Sequence, residues 1–103
     1  MSYNLIISEN AEKQLDKLIG YVVLYLRNKT AASSILLEIE DAYGKLTESG
    51  DVYALCSDPV LAGRGYRKYI LKRHEYVIVY KIDGDDLEIS GVFHMRENYA
   101  EKL

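Results

Sequence analysis

The chain has 103 residues, with 13 basic and 16 acidic side chains and a net charge of −3. That length points to one domain, residues 1–103, with a core large enough to stand without disulfides. One cysteine excludes an internal disulfide and a cysteine-paired metal site, and no apolar run reaches a membrane span. The opening MSYNLIISEN has no basic n-region and no small-residue cleavage site, so a cytoplasmic protein is expected.

The charge is uneven. Residues 1–62 hold five basic and nine acidic residues, and residues 63–103 hold eight and seven. From Arg64 to Arg73 there are five basic residues and no acid. Such a run either guides an anionic partner or guards a strand edge against aggregation.

Tyr3–Ile7 alternates and is β-prone, which predicts a short strand. Ser8 then reads as a helix N-cap, with Glu9 and Glu12 where the helix dipole favours negative charge. The spacing predicts a helix over 9–28, with Ala11, Leu15, Leu18, Ile19, Val22 and Leu26 on one stripe. Asn28-Lys29-Thr30 breaks the pattern. Thr30 is the expected cap of a second helix, Ala31 to about Ser49, whose stripe is Ala32, Ile35, Ile39, Ala42 and Leu46. Gly50 suits a left-handed C′ position. The link is so short that the helices must run antiparallel. Tyr21, Val23, Tyr25, Leu36 and Tyr43 add apolar surface beyond one sheet face, as scattered exposure or as a partner-binding surface.

Residues 51–65 show no period and read as a long loop, with Tyr53, Leu55, Val60 and Leu61 as possible anchors. Three antiparallel strands follow: Tyr66–Lys72, Tyr76–Ile82 and Leu87–Phe93. The middle one is apolar or aromatic on both faces, as a covered central strand should be. Parity in the last strand puts His94 opposite Phe93, with Gly91 a candidate bulge. Residues 97–103 form a short helix or a loose tail. The helices are expected to shield one sheet face, leaving a cationic, tyrosine-lined concavity on the other.

Chemistry, if present, is expected around His94, because histidine is the side-chain type that can donate or accept a proton near neutral pH. Arg96 lies two residues on, about 6–7 Å away on the same side in extended chain. Metal-free phosphodiester cleavage needs a base, an acid and a cation for the charge that builds on phosphorus oxygens. Histidine, tyrosine, lysine and arginine can supply these. Lys68, Lys72 and Arg67 project from the basic strand, and Tyr76, Tyr80 and Tyr99 are candidates for stacking on bases. Cys56 reads as a small packed residue, with no cation or histidine within five positions to activate it. No cluster has metal-ligand spacing and no cofactor motif is present.

These stretches together resemble the RelE/ParE superfamily, the toxins of bacterial type II toxin–antitoxin modules. The resemblance covers nearly the whole chain. It rests on a first strand ending in Ser8-Glu9-Asn10-Ala11, a helical hairpin, and Gly65-Tyr66-Arg67-Lys68-Tyr69 leading into the sheet. It continues through Tyr76-Val77-Ile78-Val79-Tyr80-Lys81-Ile82-Asp83 and Val92-Phe93-His94-Met95-Arg96. It implies an α+β fold in which an N-terminal strand and an α-helical hairpin pack on a twisted antiparallel β-sheet. It also implies an adjacent antitoxin that neutralises the chain, and no cofactor.

One branch of that superfamily cleaves mRNA on the ribosome; the other, ParE-like, poisons DNA gyrase without hydrolysis. The long paired helices and the Phe93-His94-Met95-Arg96-Glu97 exit resemble the ParE side. Val77 stands where the ribonucleases carry an arginine, and Tyr99 is nearer Arg96 than their catalytic tyrosine. Lys68, His94 and Arg96 match ribonuclease positions, so the resemblance makes Lys68, His94, Arg96 and Tyr99 the catalytic set of a ribonuclease. Arg64, Arg67, Lys72, Arg73, Tyr76 and Tyr80 are the candidates for binding nucleic acid or another target. A relative that only binds antitoxin, without toxicity, is the third reading.

Overall fold

The structure, a computed structural model, describes residues 2–103. Asn4–Ile7 forms β1, and Glu9–Leu24 forms α1. Ser8 caps α1 as expected: its hydroxyl accepts from the Ala11 amide at 3.1 Å and donates to the Ser90 carbonyl at 3.3 Å. One side chain thus starts the helix and ties its first turn to the sheet.

α1 stops four residues earlier than the spacing predicts. Tyr25 is its C-cap, Arg27 takes a left-handed φ of 49°, and the Asn28 amide closes onto the Val22 carbonyl. Leu26, expected on the buried stripe, is therefore 57% exposed. Asn28, not Thr30, caps α2 (Lys29–Ser49), accepting from the Ala31 amide at 2.9 Å. Its side-chain oxygen reaches forward to the N3 amide, so the helix starts two residues before the expected cap. The α2 stripe is as read: Ala32, Ile35, Ile39, Ala42 and Leu46 are all buried.

Gly50 is not left-handed. It sits at φ −59°, buried, in a 3-10 turn (Gly50–Val52), where a Cβ would overlap Leu87 Cδ1. Its carbonyl accepts from the Tyr80 hydroxyl at 2.6 Å. Close approach of backbone to core, rather than φ, requires glycine there.

The sheet has the order β1-β4-β3-β2, with β2 at Arg67–Ile70, β3 at Tyr76–Asp83 and β4 at Asp86–His94. β2, β3 and β4 form the expected antiparallel meander, and β1 joins β4 in parallel, Asn4 opposite Asp86 and Ile7 opposite Ile89. The register breaks between Val79, opposite Gly91, and Tyr80, opposite Ile89, leaving Ser90 as an extra residue. This bulge flips the parity of β4. Leu87 and Ile89 share the helix-facing core with Val92, whereas Phe93 packs on the reverse. Gln14 of α1 accepts from the Val92 amide at 2.9 Å, pairing a donor just past the bulge.

Both faces of the sheet are covered. On one, the hairpin packs over Tyr69, Ile78, Tyr80, Leu87, Ile89 and Val92. On the other, Val77, Val79 and Phe93 are roofed by Cys56 and Leu61, with Tyr66, Tyr99, Ala100 and Leu103 around them. The expected open concavity on the reverse face is thus filled. Its cover comes from the stretch read as a loop, in which Asp58 caps a short helix, α3 (Pro59–Gly63), and from the tail, which ends in a 3-10 turn (Tyr99–Lys102). A sheet this apolar on both sides would otherwise leave large side chains in water, each worth about 1.5–3 kcal/mol when buried.

Candidate functional site

His94 ends β4 beside Tyr76, its cross-strand partner, with the two rings edge to face at 5.5 Å. Residues paired across a ladder point to the same face, so the bulge sends His94 to the helix side. Its Nδ1 accepts from the Arg96 amide at 3.1 Å, and its Nε2 lies 3.5 Å from Glu75. The lone pair a general base would use is already engaged.

Lys68 pairs with Val79, and Val79 faces the reverse layer. Lys68 and His94 therefore project from opposite faces of the sheet. Their partners, Val79 and Tyr76, are three residues apart along β3, about 10 Å. The Lys68 ammonium donates to Ser57 Oγ at 2.9 Å. Arg96 lies exposed beyond the strand. Tyr99 stacks on Phe93 in the reverse layer at 5.5 Å, and burial raises its phenol pKa. The four residues of the ribonuclease reading do not share a site.

The candidates for target binding also separate. Tyr80 has no exposed surface on which a base could stack, and burial drives its pKa up. Arg67 is drawn inward, its guanidinium donating to the Tyr53 carbonyl. Arg64 ends α3 in solvent. Lys72 and Arg73 are exposed in the β2–β3 turn, where their amides donate to Glu38 at 3.0 and 2.9 Å. Cys56 is buried, and burial raises its thiol pKa, so it is packing and no nucleophile.

What does converge is a cavity of about 660 Å³ between α1 and the end of the β3–β4 ladder. Leu18, Tyr21, Tyr76, Val92 and Phe93 give it apolar walls; Lys17, His94, Glu97 and Lys102 make its rim polar. Glu97 accepts from the His94 amide at 3.0 Å and from Lys102. Burial alone would raise the pKa of Glu97, and these two donors reverse it to a lowered value. The rim thus keeps a fixed carboxylate, and the walls can take an apolar side chain. This is an anchoring site in shape and composition.

Sequence reading named Tyr76 and His94, and separately Tyr21 as scattered exposure or a partner surface, but did not join them across α1 into one site. The signal was present: Gln14, Lys17, Leu18 and Tyr21 fall at i, i+3, i+4 and i+7, one helical stripe. Tyr21 is 54% exposed and stacks on Tyr25, 79% exposed, at 5.5 Å, carrying the aromatic surface past the cavity mouth. Among the described residues no group of histidine, cysteine and carboxylate side chains could hold a metal, and no helix is long and apolar enough to cross a membrane.

A family profile described as the ParE toxin of type II toxin–antitoxin systems matches residues 5–99, from within β1 to the last turn. Among solved structures, a chain from the chromosomal ParDE TA system of P. aeruginosa superimposes with a TM-score of 0.71 at 20% identity. The match covers 90% of this chain and 96% of that one, and at this identity it speaks for the shared α+β fold. Among curated proteins no sequence matches this chain. The profile spans every element that builds the two layers, and the chain belongs to the ParE toxin family of type II toxin–antitoxin systems.

Proposed function

We propose that this toxin inhibits growth by binding DNA gyrase, that it does so in the cytoplasm and without hydrolysis, and that an antitoxin partner holds it inactive. The observation that carries this reading is the dispersal of the nucleolytic set. Acid–base cleavage requires its base, acid and phosphate-holding cation within hydrogen-bond reach of one phosphodiester. Here Lys68 and His94 project from opposite faces, the His94 Nδ1 lone pair is engaged, and Tyr99 is stacked in the reverse layer. An apolar cavity with a polar rim, flanked by exposed Tyr21 and Tyr25, suits gripping a protein surface.

The test is to add purified chain to a gyrase supercoiling reaction and, separately, to ribosomes translating a defined mRNA. Supercoiling is expected to fail while the transcript stays intact. His94→Ala removes one polar group from the cavity rim but no proton-transfer step, so it should weaken inhibition by no more than about tenfold and produce no change in the transcript. Transcript cuts at the ribosome, lost in His94→Ala while gyrase is unaffected, would overturn the reading in favour of a ribonuclease.

A further inference from the structure

We infer that the β2 edge of this protein carries a second binding site, for the phosphodiester backbone of a nucleic acid. Two adjoining concavities, of about 450 and 480 Å³, share Lys45, Tyr69 and Lys72 and so form one groove from α2 across to β2. Lys68 lines one of them and Arg73 the other. Four cations from three segments thus face one channel.

The charge in that channel is only partly compensated: two carboxylates, Glu38 and Asp41, line it against four cations. Glu38 accepts from the Lys72 and Arg73 amides and pairs with His74 Nδ1 at 2.8 Å, so it is turned to the backbone and the histidine, not to the Lys72 or Arg73 side chains. Asp41 is taken up by Lys45 at 3.1 Å. Among the described residues Lys68, Lys72 and Arg73 have no ion pair. In a protein of net charge −3 this is a local positive field set against the whole.

Edge protection does not account for it. At Arg67 and Lys68 the outer edge of β2 is already covered, by a bridge from Leu55 and by the Lys68 amide bonding to Ala54. Lys72 and Arg73 lie past the strand end, where no ladder remains to guard. The spacing fits a polymer that carries a charge on every unit. Lys68 to Lys72 spans at most about 13 Å, or three to four phosphates at 3.4 Å of rise each. The guanidinium of Arg73 matches a phosphate in a way an ammonium does not. Partly exposed Tyr53, edge to face with Tyr69 at 5.0 Å, and exposed Ile70 offer surface for a sugar or a base.

The test is fluorescence anisotropy of the purified chain with a labelled 20-nucleotide RNA, the same sequence as single-stranded DNA, and its duplex. Binding is expected at 50 mM salt. With three phosphate contacts, duplex affinity should fall about 40-fold by 200 mM. Lys72→Ala and Arg73→Ala should each weaken binding and flatten the salt slope by about one, with circular dichroism unchanged. Lys13→Ala, on the outer face of α1 and paired there with Glu9, should change nothing. Whichever of the three probes binds tightest names the source of the backbone. No binding to any of them at 50 mM salt overturns the proposal, as does affinity unchanged from the parent in both turn variants. A polyglutamate peptide that binds more tightly than nucleic acid also overturns it and reassigns the groove to acidic peptides. Gyrase is absent from this assay, so its outcome is independent of the supercoiling result.

Discussion

Gly50 is one residue doing three jobs. It ends α2, lets Leu87 approach the backbone, and offers its carbonyl to the buried Tyr80 hydroxyl. Gly50→Ala puts a methyl where Leu87 stands, in a core with little room to yield. Equilibrium denaturation should show a loss of about 1–3 kcal/mol. Tyr80→Phe keeps the ring and removes only the donor, leaving the Gly50 carbonyl short of a partner; about 1–2 kcal/mol is expected. A loss under about 0.5 kcal/mol in both would mean that this corner repacks freely.

At the scale of elements, the joint that matters is between α2 and the β2–β3 turn. Glu38 holds that turn with three acceptor contacts, to the Lys72 and Arg73 amides and to His74. Burial works to raise its pKa, but the hydrogen bonds from His74 and the two amides prevail, and the net shift is downward. The sign of the linkage follows. A carboxyl depressed in the folded state stabilises above its unfolded value, near 4.5, and that contribution is lost as pH falls through the folded value. Glu38→Gln should therefore cost about 1–3 kcal/mol at pH 7. The gap to the parent should begin to close in unfolding curves once pH falls below about 4.5, and vanish as it passes the lower folded value. A gap that is constant with pH would show that shape, not charge, makes the joint. The same clip turns Glu38 to the backbone amides and His74, so among the described residues the Lys72 and Arg73 side chains form no ion pair with it.

For the molecule as a whole, the layering is helices, sheet and a thinner irregular cover. That cover depends on the tail, since Tyr99, Ala100 and Leu103 pack beside Phe93, Val77 and Val79. Deleting residues 99–103 should cost about 2 kcal/mol. In a domain this size that lowers Tm by roughly 8–16 °C. Binding of a hydrophobic dye should rise as Phe93 is uncovered. An unchanged Tm would mean the sheet's reverse face is roofed by the Cys56–Leu61 segment alone.

The sequence by itself determined most of the helix-facing interior, Leu26 excepted. The α2 stripe from Ala32 to Leu46, the Ser8 cap, the two-sided middle strand and the antiparallel meander were legible because each follows from spacing within one segment. The family resemblance was legible for the same reason, as an ordered series of local patterns. Only the tertiary structure decided the faces. One extra residue at Ser90 turned His94 toward the helices; Gly91 beside it marked a candidate bulge, but whether one forms is fixed by the register of the neighbouring strand. Of the cover over the reverse face only Leu61 was legible, among four possible anchors of which Leu55 and Val60 stay exposed, since irregular segments carry no period and find their place only against a sheet already formed. The candidate sites followed suit. Lys45, Lys68 and Lys72 meet because three segments pack side by side, and Lys68 and His94 part because a strand has two sides.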